Sequence, residues 1–177
     1  MSELMIRSAK PEEFKHLGQL MVKVYSQLDG FPKPDEQPAY YSMLSNIGEQ
    51  AQKPDVELLV AVDTADQLLG GVVFFGDMQF YGSGGTAPQA KQATGFRLLA
   101  VSDNARRRGV GRLLTEACIE RSVALDKQRI IIHTTEAMKV AWRMYEKQGF
   151  TRAEEFDFMQ EKLAVFGFHK WLNTDSE

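Results

Sequence analysis

One cysteine, Cys118, occurs in 177 residues. No internal disulfide and no multi-cysteine metal site can therefore hold the chain. No apolar run approaches the ~18 residues that a membrane helix needs. The opening residues, Met1 to Arg7, lack the charged-then-apolar layout of a signal peptide. A surplus of positive charge is missing as well. Lys plus Arg is 21 against 24 for Asp plus Glu, a net charge of −3. That balance leaves no global footprint for nucleic acid or for an anionic membrane. Repeats, low-complexity tracts and a linker strong enough to divide the chain are also lacking. These absences leave one soluble domain in a reducing cytoplasm as the expectation. Its 44% hydrophobic and 25% charged residues are enough for a core and argue against disorder.

The pattern along the chain predicts a mixed α/β fold. Leu4–Arg7 is a short apolar strand. Pro11-Glu12-Glu13 opens a helix, with proline and acids suited to its first turn, and Phe14, Leu17, Met21 and Val24 keep helical spacing. Asp29 to Pro34 breaks it, and a second helix runs from Pro38 to about Gln50. Val56–Val62 and Leu68–Phe75 are strands joined by the turn Asp63 to Asp66, an antiparallel pair. Residues 77–94, with Gly82, Gly84, Gly85 and Pro88, form a long connection of the kind that is often functional. Phe96–Val101 is a strand. Gly109 to about Leu125 is a helix with Val110, Leu113, Leu114, Ala117, Ala124 and Leu125 near one stripe. Arg129–His133 is a strand apolar on both faces, Ala137–Lys147 a helix ended by Gly149, and Phe156–Met159 and Val165–Trp171 supply final strands. Strand–helix–strand–helix in the second half implies a right-handed crossover and parallel pairing, whereas the first half holds a hairpin. The sum is a mixed sheet covered by helices.

The stretch that carries chemistry is Phe96 to Gly111. A strand leads through four residues to Arg106-Arg107-Arg108-Gly109-Val110-Gly111, and a helix begins there. Glycines let backbone approach a ligand, and a helix N-terminus offers free N–H groups and the positive end of a dipole. Arg106, Arg107, Arg108 and Arg112 add charge at the same spot. This is a phosphate-binding arrangement. The dinucleotide fingerprint would need glycine three residues after Gly111, where Leu114 stands, and the Walker Gly-Lys-Ser/Thr is absent.

Arg106-x-x-Gly109-x-Gly111 after a strand resembles motif A of the GNAT N-acetyltransferase superfamily. Ala141-Trp142-Arg143-Met144-Tyr145-Glu146-Lys147-Gln148-Gly149-Phe150 resembles its motif B, at the family's spacing and with one helix and one strand between. The match covers about Phe96 to Phe150. The resemblance implies a mostly antiparallel sheet with one splayed parallel strand pair and flanking helices. It implies acetyl-CoA as cosubstrate, its pyrophosphate on Arg106, Arg107, Arg108, Gly109, Val110, Gly111 and Arg112, and its pantetheine on the backbone of Leu99, Ala100 and Val101. It implies direct attack by an amine, with Tyr145 as the general acid that protonates the leaving thiolate. The acceptor would be a primary amine of a small molecule or a protein, the short, mildly acidic chain and the 77–94 connection favouring a small molecule. Such relatives are often dimers, so a homodimer is among the partners implied, though no residue points to it.

Two positions depart from the family. Met138 stands where motif B often opens with Asn. Arg97 stands where the strand often carries a Glu used as base, so Glu136, Asp77 and His133 are the substitutes to examine, beside water alone. Without that Glu and Asn, a degenerate CoA-binding sensor is a second reading, and transfer of another acyl group a third, since motifs A and B grip only the CoA. Arg97 is either structural or faces the acceptor cleft and attracts a carboxylate. Tyr25, Phe31, Tyr40 and Tyr41, with Phe80 and Tyr81, either line the acceptor site or pack in the core. Cys118 lies beside a core stripe, as an inert thiol would.

Overall fold

The structure, a computed structural model, describes residues 3–172. From the N-terminus the elements are β1 (Met5–Ser8), α1 (Phe14–Ser26), α2 (Pro38–Ser45), β2 (Val56–Val62), β3 (Leu68–Phe75), β4 (Ala93–Val101), α3 (Val110–Ala124), β5 (Arg129–Thr134), α4 (Lys139–Lys147), β6 (Thr151–Arg152), β7 (Phe158–Gln160) and β8 (Leu163–Trp171). The sheet runs β1-β2-β3-β4-β5-β8-β6, with β7 paired to β8. Every pairing is antiparallel except β4 with β5. The α3 crossover makes that parallel pair, as a strand–helix–strand path must.

Alternation along the strands divides the apolar residues between two faces. Leu58, Val60 and Val62 of β2 and Val73 and Phe75 of β3 pack under α1 and α2, against Leu17, Met21, Tyr25 and Leu44. Leu59, Ala61, Val72 and Phe74 pack under α3 and α4, against Val110, Leu114, Cys118 and Tyr145. Ile130, Ile131 and Ile132 of β5 are all buried, which accounts for a run with no polar alternation. No helix among the described residues is long and apolar enough to cross a membrane.

Several boundaries differ from the sequence expectations, each for a physical reason. The turn at Pro11–Glu13 is 3-10, and α1 begins at Phe14. The second helix stops at Ser45 and tightens into a 3-10 stretch, Ile47–Gln52. Phe156 ends another such turn rather than starting a strand, and β6 is too short to leave a pattern. The buried face of α3 holds Thr115 and Ser122, while Ala124 and Leu125, expected on the stripe, are exposed. Hydroxyls can line this face because the helix satisfies them. Thr115 donates to the Gly111 carbonyl (3.0 Å) and Ser122 to the Cys118 carbonyl (2.8 Å). β4 begins at Ala93, three residues before the expected Phe96.

Candidate functional site

Those three extra residues decide the shape of the sheet. Ala93, Thr94 and Gly95 pair with Arg129, Ile130 and Ile131, and there the β4–β5 ladder ends. Beyond Gly95, β4 runs on to Val101 with β3 on one side and, among the described residues, no strand on the other, while β5 continues along β8. A bulge helps turn it. Between Val73↔Arg97 and Gly71↔Ala100, β3 advances two residues and β4 three. The extra residue bends the strand. It shows at Leu98, whose φ is +67°, a conformation that a buried leucine holds only because packing on both sides fixes it.

The opening leads to the basic loop. Ser102 donates its N–H to the Leu69 carbonyl (2.8 Å), which ties the loop to β3, and Ala105 is fully buried beneath it. Gly109, at φ +79°, caps α3 from the left-handed region. The first ladder bond runs from the Leu113 N–H to the Gly109 carbonyl (3.0 Å). The N–H groups of Val110, Gly111 and Arg112 lie before it, at the positive end of the helix. Arg106 is exposed and paired with Asp103 (3.1 Å), and Arg112 with Glu116 (3.0 Å). Such exposed pairs are weak enough for a phosphate to displace.

Gly111 is informative for what surrounds it. A Cβ there would meet Met144 Sδ at 3.5 Å and Val101 Cγ2 at 3.7 Å, ordinary contacts. Packing therefore does not demand the glycine, and the space it leaves is the kind that a close ligand uses. The loop, β4 and α4 converge on this point. A surface groove of about 560 Å³ between α3 and α4 adds Arg143 and Lys147 to the cationic side. Their part is not separable in sequence from the ordinary charged face of a helix. Further along β5, past the departure of β4, the buried Thr134 hydroxyl has no hydrogen-bond partner among the described residues. An orphaned buried hydroxyl at the opening, free N–H groups and a cationic loop form a donor set that suits the phosphates and amide-rich arm of a CoA thioester.

Tyr145 is buried at the end of α4. Its ring meets Phe96 edge-on (5.7 Å between centroids) and Phe150 at a tilt (5.8 Å). Phe96 is the first β4 residue beyond the parallel ladder, so the Tyr145 ring packs on the strand where it leaves β5. Burial pushes its pKa well up, and Tyr81 pushes it further. Tyr25, on the other face, is raised by burial first and also by Tyr40 and Tyr145. The Tyr25 hydroxyl donates to the Leu99 carbonyl (2.7 Å). That holds the bulged strand and uses one of the backbone groups assigned to the ligand. The sequence marks Tyr25 only as an aromatic of the first helix.

The three substitute bases do not share one setting. Asp77 accepts from the Gln79 N–H (3.0 Å) and so caps a turn. Glu136 is exposed in the turn after β5. His133 is enclosed: its Nε2 lies 2.8 Å from the Phe156 carbonyl and its Nδ1 3.0 Å from the Tyr81 hydroxyl. A carbonyl can only accept, so Nε2 carries the proton. Burial lowers the pKa to about 4, which keeps the ring neutral, and Nδ1 accepts from Tyr81. Both nitrogens are engaged, as in a satisfied structural histidine. Cys118 is fully buried, and burial pushes its thiol well up.

On the α1/α2 face, Tyr25, Phe31, Tyr40 and Tyr41 form a chain of ring contacts at 5.5–6.4 Å. Tyr40 also lines a cleft of about 500 Å³ with Met43, Tyr81, Arg97 and Phe158. Phe31 and Tyr41 are buried in the core, so one cluster serves both wall and core.

The sequence matches the model of the Acetyltransferase (GNAT) family over residues 21–150. No curated protein matches it in sequence. Solved structures do match in fold. A GNAT-family acetyltransferase from Staphylococcus aureus Mu50 superposes with a TM-score of 0.73 at 14% identity, over 96% of this chain and 99% of that one. A GCN5-related N-acetyltransferase from Kribbella flavida gives 0.68 at 19% identity, over 96% and 98%. Spermidine N-acetyltransferase from Vibrio cholerae, in complex with CoA and spermine, gives 0.64 at 16% identity, over 97% and 96%.

Proposed function

The chain belongs to the acetyltransferase (GNAT) family, and from that premise we propose that it transfers an acetyl group from acetyl-CoA to a primary amine of a small molecule. The observation that carries the reading is the opening of β4 from β5 after Gly95↔Ile131, with the glycine-bearing, arginine-rich start of α3 at its mouth. In this reading the N–H groups of Val110, Gly111 and Arg112 bind pyrophosphate, together with Arg106, Arg107 and Arg108. The backbone of Leu99, Ala100 and Val101 binds the pantetheine arm.

The thioester supplies the acyl group: a C–N bond forms at its carbonyl carbon, the C–S bond breaks, and the sulfur leaves with the electron pair. A backbone N–H of β4 polarises the carbonyl. Tyr145, kept protonated by its burial, is the general acid and donates to the departing sulfur. The proton released from the nitrogen of the new amide restores the phenol, so the step balances. The incoming amine must arrive neutral. Arg97 occupies the place of the family's Glu and both nitrogens of His133 are engaged, so we assign that deprotonation to solvent.

Calorimetric titration with acetyl-CoA, and with CoA lacking its 3′-phosphate or its sulfur, tests the reading. Saturable binding that weakens as phosphates are removed is expected, followed by thiol release with an amine acceptor. A folded protein that binds none of these compounds overturns it.

A further inference from the structure

We infer that the acceptor amine also carries a carboxylate and that Arg97 binds it; this rests on the proposed amine acetylation. Arg97 lies opposite Val73 on the face of β4 that looks toward α1 and α2, away from the basic start of α3. Its guanidinium is half-buried in the cleft of about 500 Å³. One nitrogen donates to the Tyr81 carbonyl (3.0 Å) and the Cζ atom lies 5.7 Å from the centre of the Tyr81 ring, which together fix its direction. No carboxylate among the described residues pairs with it, and no Asp or Glu lines the cleft. A partly desolvated guanidinium with unused donors is costly unless an anion completes it. The planar fork of donors matches a carboxylate in two parallel hydrogen bonds.

Two other features point the same way. Lys53, also on the cleft, bonds only a neutral amide, Gln50 Oε1 (3.1 Å), so the local charge is positive throughout. Tyr40 is held protonated, its pKa raised to about 12 by burial, and its hydroxyl has no hydrogen-bond partner among the described residues. It is a second donor for the same anion. The remaining wall is mixed: Met43, Phe158 and the ring of Tyr81 alternate with the neutral polar side chains of Gln37, Ser83 and Gln160. The cleft thus fits a free amino acid with an uncharged side chain. A peptide that presents the same carboxylate is the other source of this chemistry.

The test compares free leucine, methionine and phenylalanine with their carboxamides as acceptors, read by thiol release, in the natural protein and in Arg97→Met and Arg97→Lys. Short peptides ending in the same residues form a third arm. The natural protein should prefer the carboxylate over the amide by roughly tenfold or more. Arg97→Met should erase that ratio while leaving acetyl-CoA affinity unchanged, and Arg97→Lys should restore part of it. A merely structural arginine would alter both acceptors alike and leave the ratio intact. Amides or carboxylate-free diamines used as well as the acids, a ratio that survives Arg97→Met, or acetyl-CoA binding with no acid accepted would each overturn the inference while the acetyl-CoA reading stands. Peptides used in preference to free amino acids would overturn the small-molecule form of it. Failure to bind acetyl-CoA would remove the parent reading, and the inference with it.

Discussion

Gly111 separates stability from binding at a single position. A Cβ there meets only ordinary contacts, so Gly111→Ala should fold normally and gain up to about 0.5 kcal/mol from helix propensity. It should nevertheless weaken acetyl-CoA by roughly tenfold, because the methyl occupies space beside the phosphates. Calorimetry alongside thermal melting reads both, and an unchanged affinity would remove Gly111 from the site. Tyr145 offers the complementary case. Tyr145→Phe keeps the ring against Phe96 and Phe150, so acetyl-CoA affinity should stay within about twofold while turnover falls by roughly a hundredfold or more. His133 yields a prediction in pH. Its folded pKa is about 4 against an ordinary 6.5, so in that interval the unfolded chain binds more protons than the folded one. Its contribution to stability is therefore present above pH 6.5 and lost as pH falls toward 4. Glu13, held at about 2 by Arg7, acts only below its ordinary 4.5. The melting temperature of the natural protein should thus exceed that of His133→Gln by a margin that shrinks between pH 6.5 and 4.5, and a constant margin would contradict the assignment.

Elements place these residues, and α2 lies against α1 where Gly18 leaves no room for a side chain. A Cβ on Gly18 would stand 2.6 Å from the Ser45 carbonyl oxygen and 2.8 Å from that of Leu44. Gly18→Ala must therefore push α2 off α1, at a cost of about 1–3 kcal/mol. Because α2 carries Tyr40 and Met43 into the cleft, KM for the acceptor should rise while acetyl-CoA affinity holds, measurable by steady-state kinetics and calorimetry. The same scale shows how much is legible in sequence. β2, β3 and the start of α3 are legible because apolar periodicity and glycine signals are local. The start of β4 is not, because Ala93 and Gly95 flank Thr94 with residues depleted in strands, and the segment is recruited by β5. Arg106 to Gly111 announce themselves by composition and spacing. Thr134 and the hydrogen bond from Tyr25 to Leu99 do not, because each depends on residues far apart in the chain. The cleft around Arg97 is legible only as a departure from a pattern; its aromatic wall comes from α2, the 77–94 connection and β7.

For the molecule as a whole, a ligand in the opening would touch both parts of the sheet. Saturation with acetyl-CoA at about a hundred times its Kd should add about 2.7 kcal/mol and raise the melting temperature by about 5–10 °C. Amide exchange should slow along β4 beyond Gly95 and at the end of β5. A shift confined to α3 would mean that only the phosphates are held. The mostly antiparallel sheet with one parallel pair is foreseen in the sequence pattern and the family resemblance; its opening depends on a register shift that no local pattern displays. That short ladder, Ala93↔Arg129 to Gly95↔Ile131, is also a suture. With the bond from the Gln128 N–H to the Gln92 carbonyl just before it (2.8 Å), it stitches the backbone of the meander β1–β4 to the C-terminal strands. Under tension applied across it, the sheet should tear there first, and bound acetyl-CoA would act as a rivet that raises the rupture force.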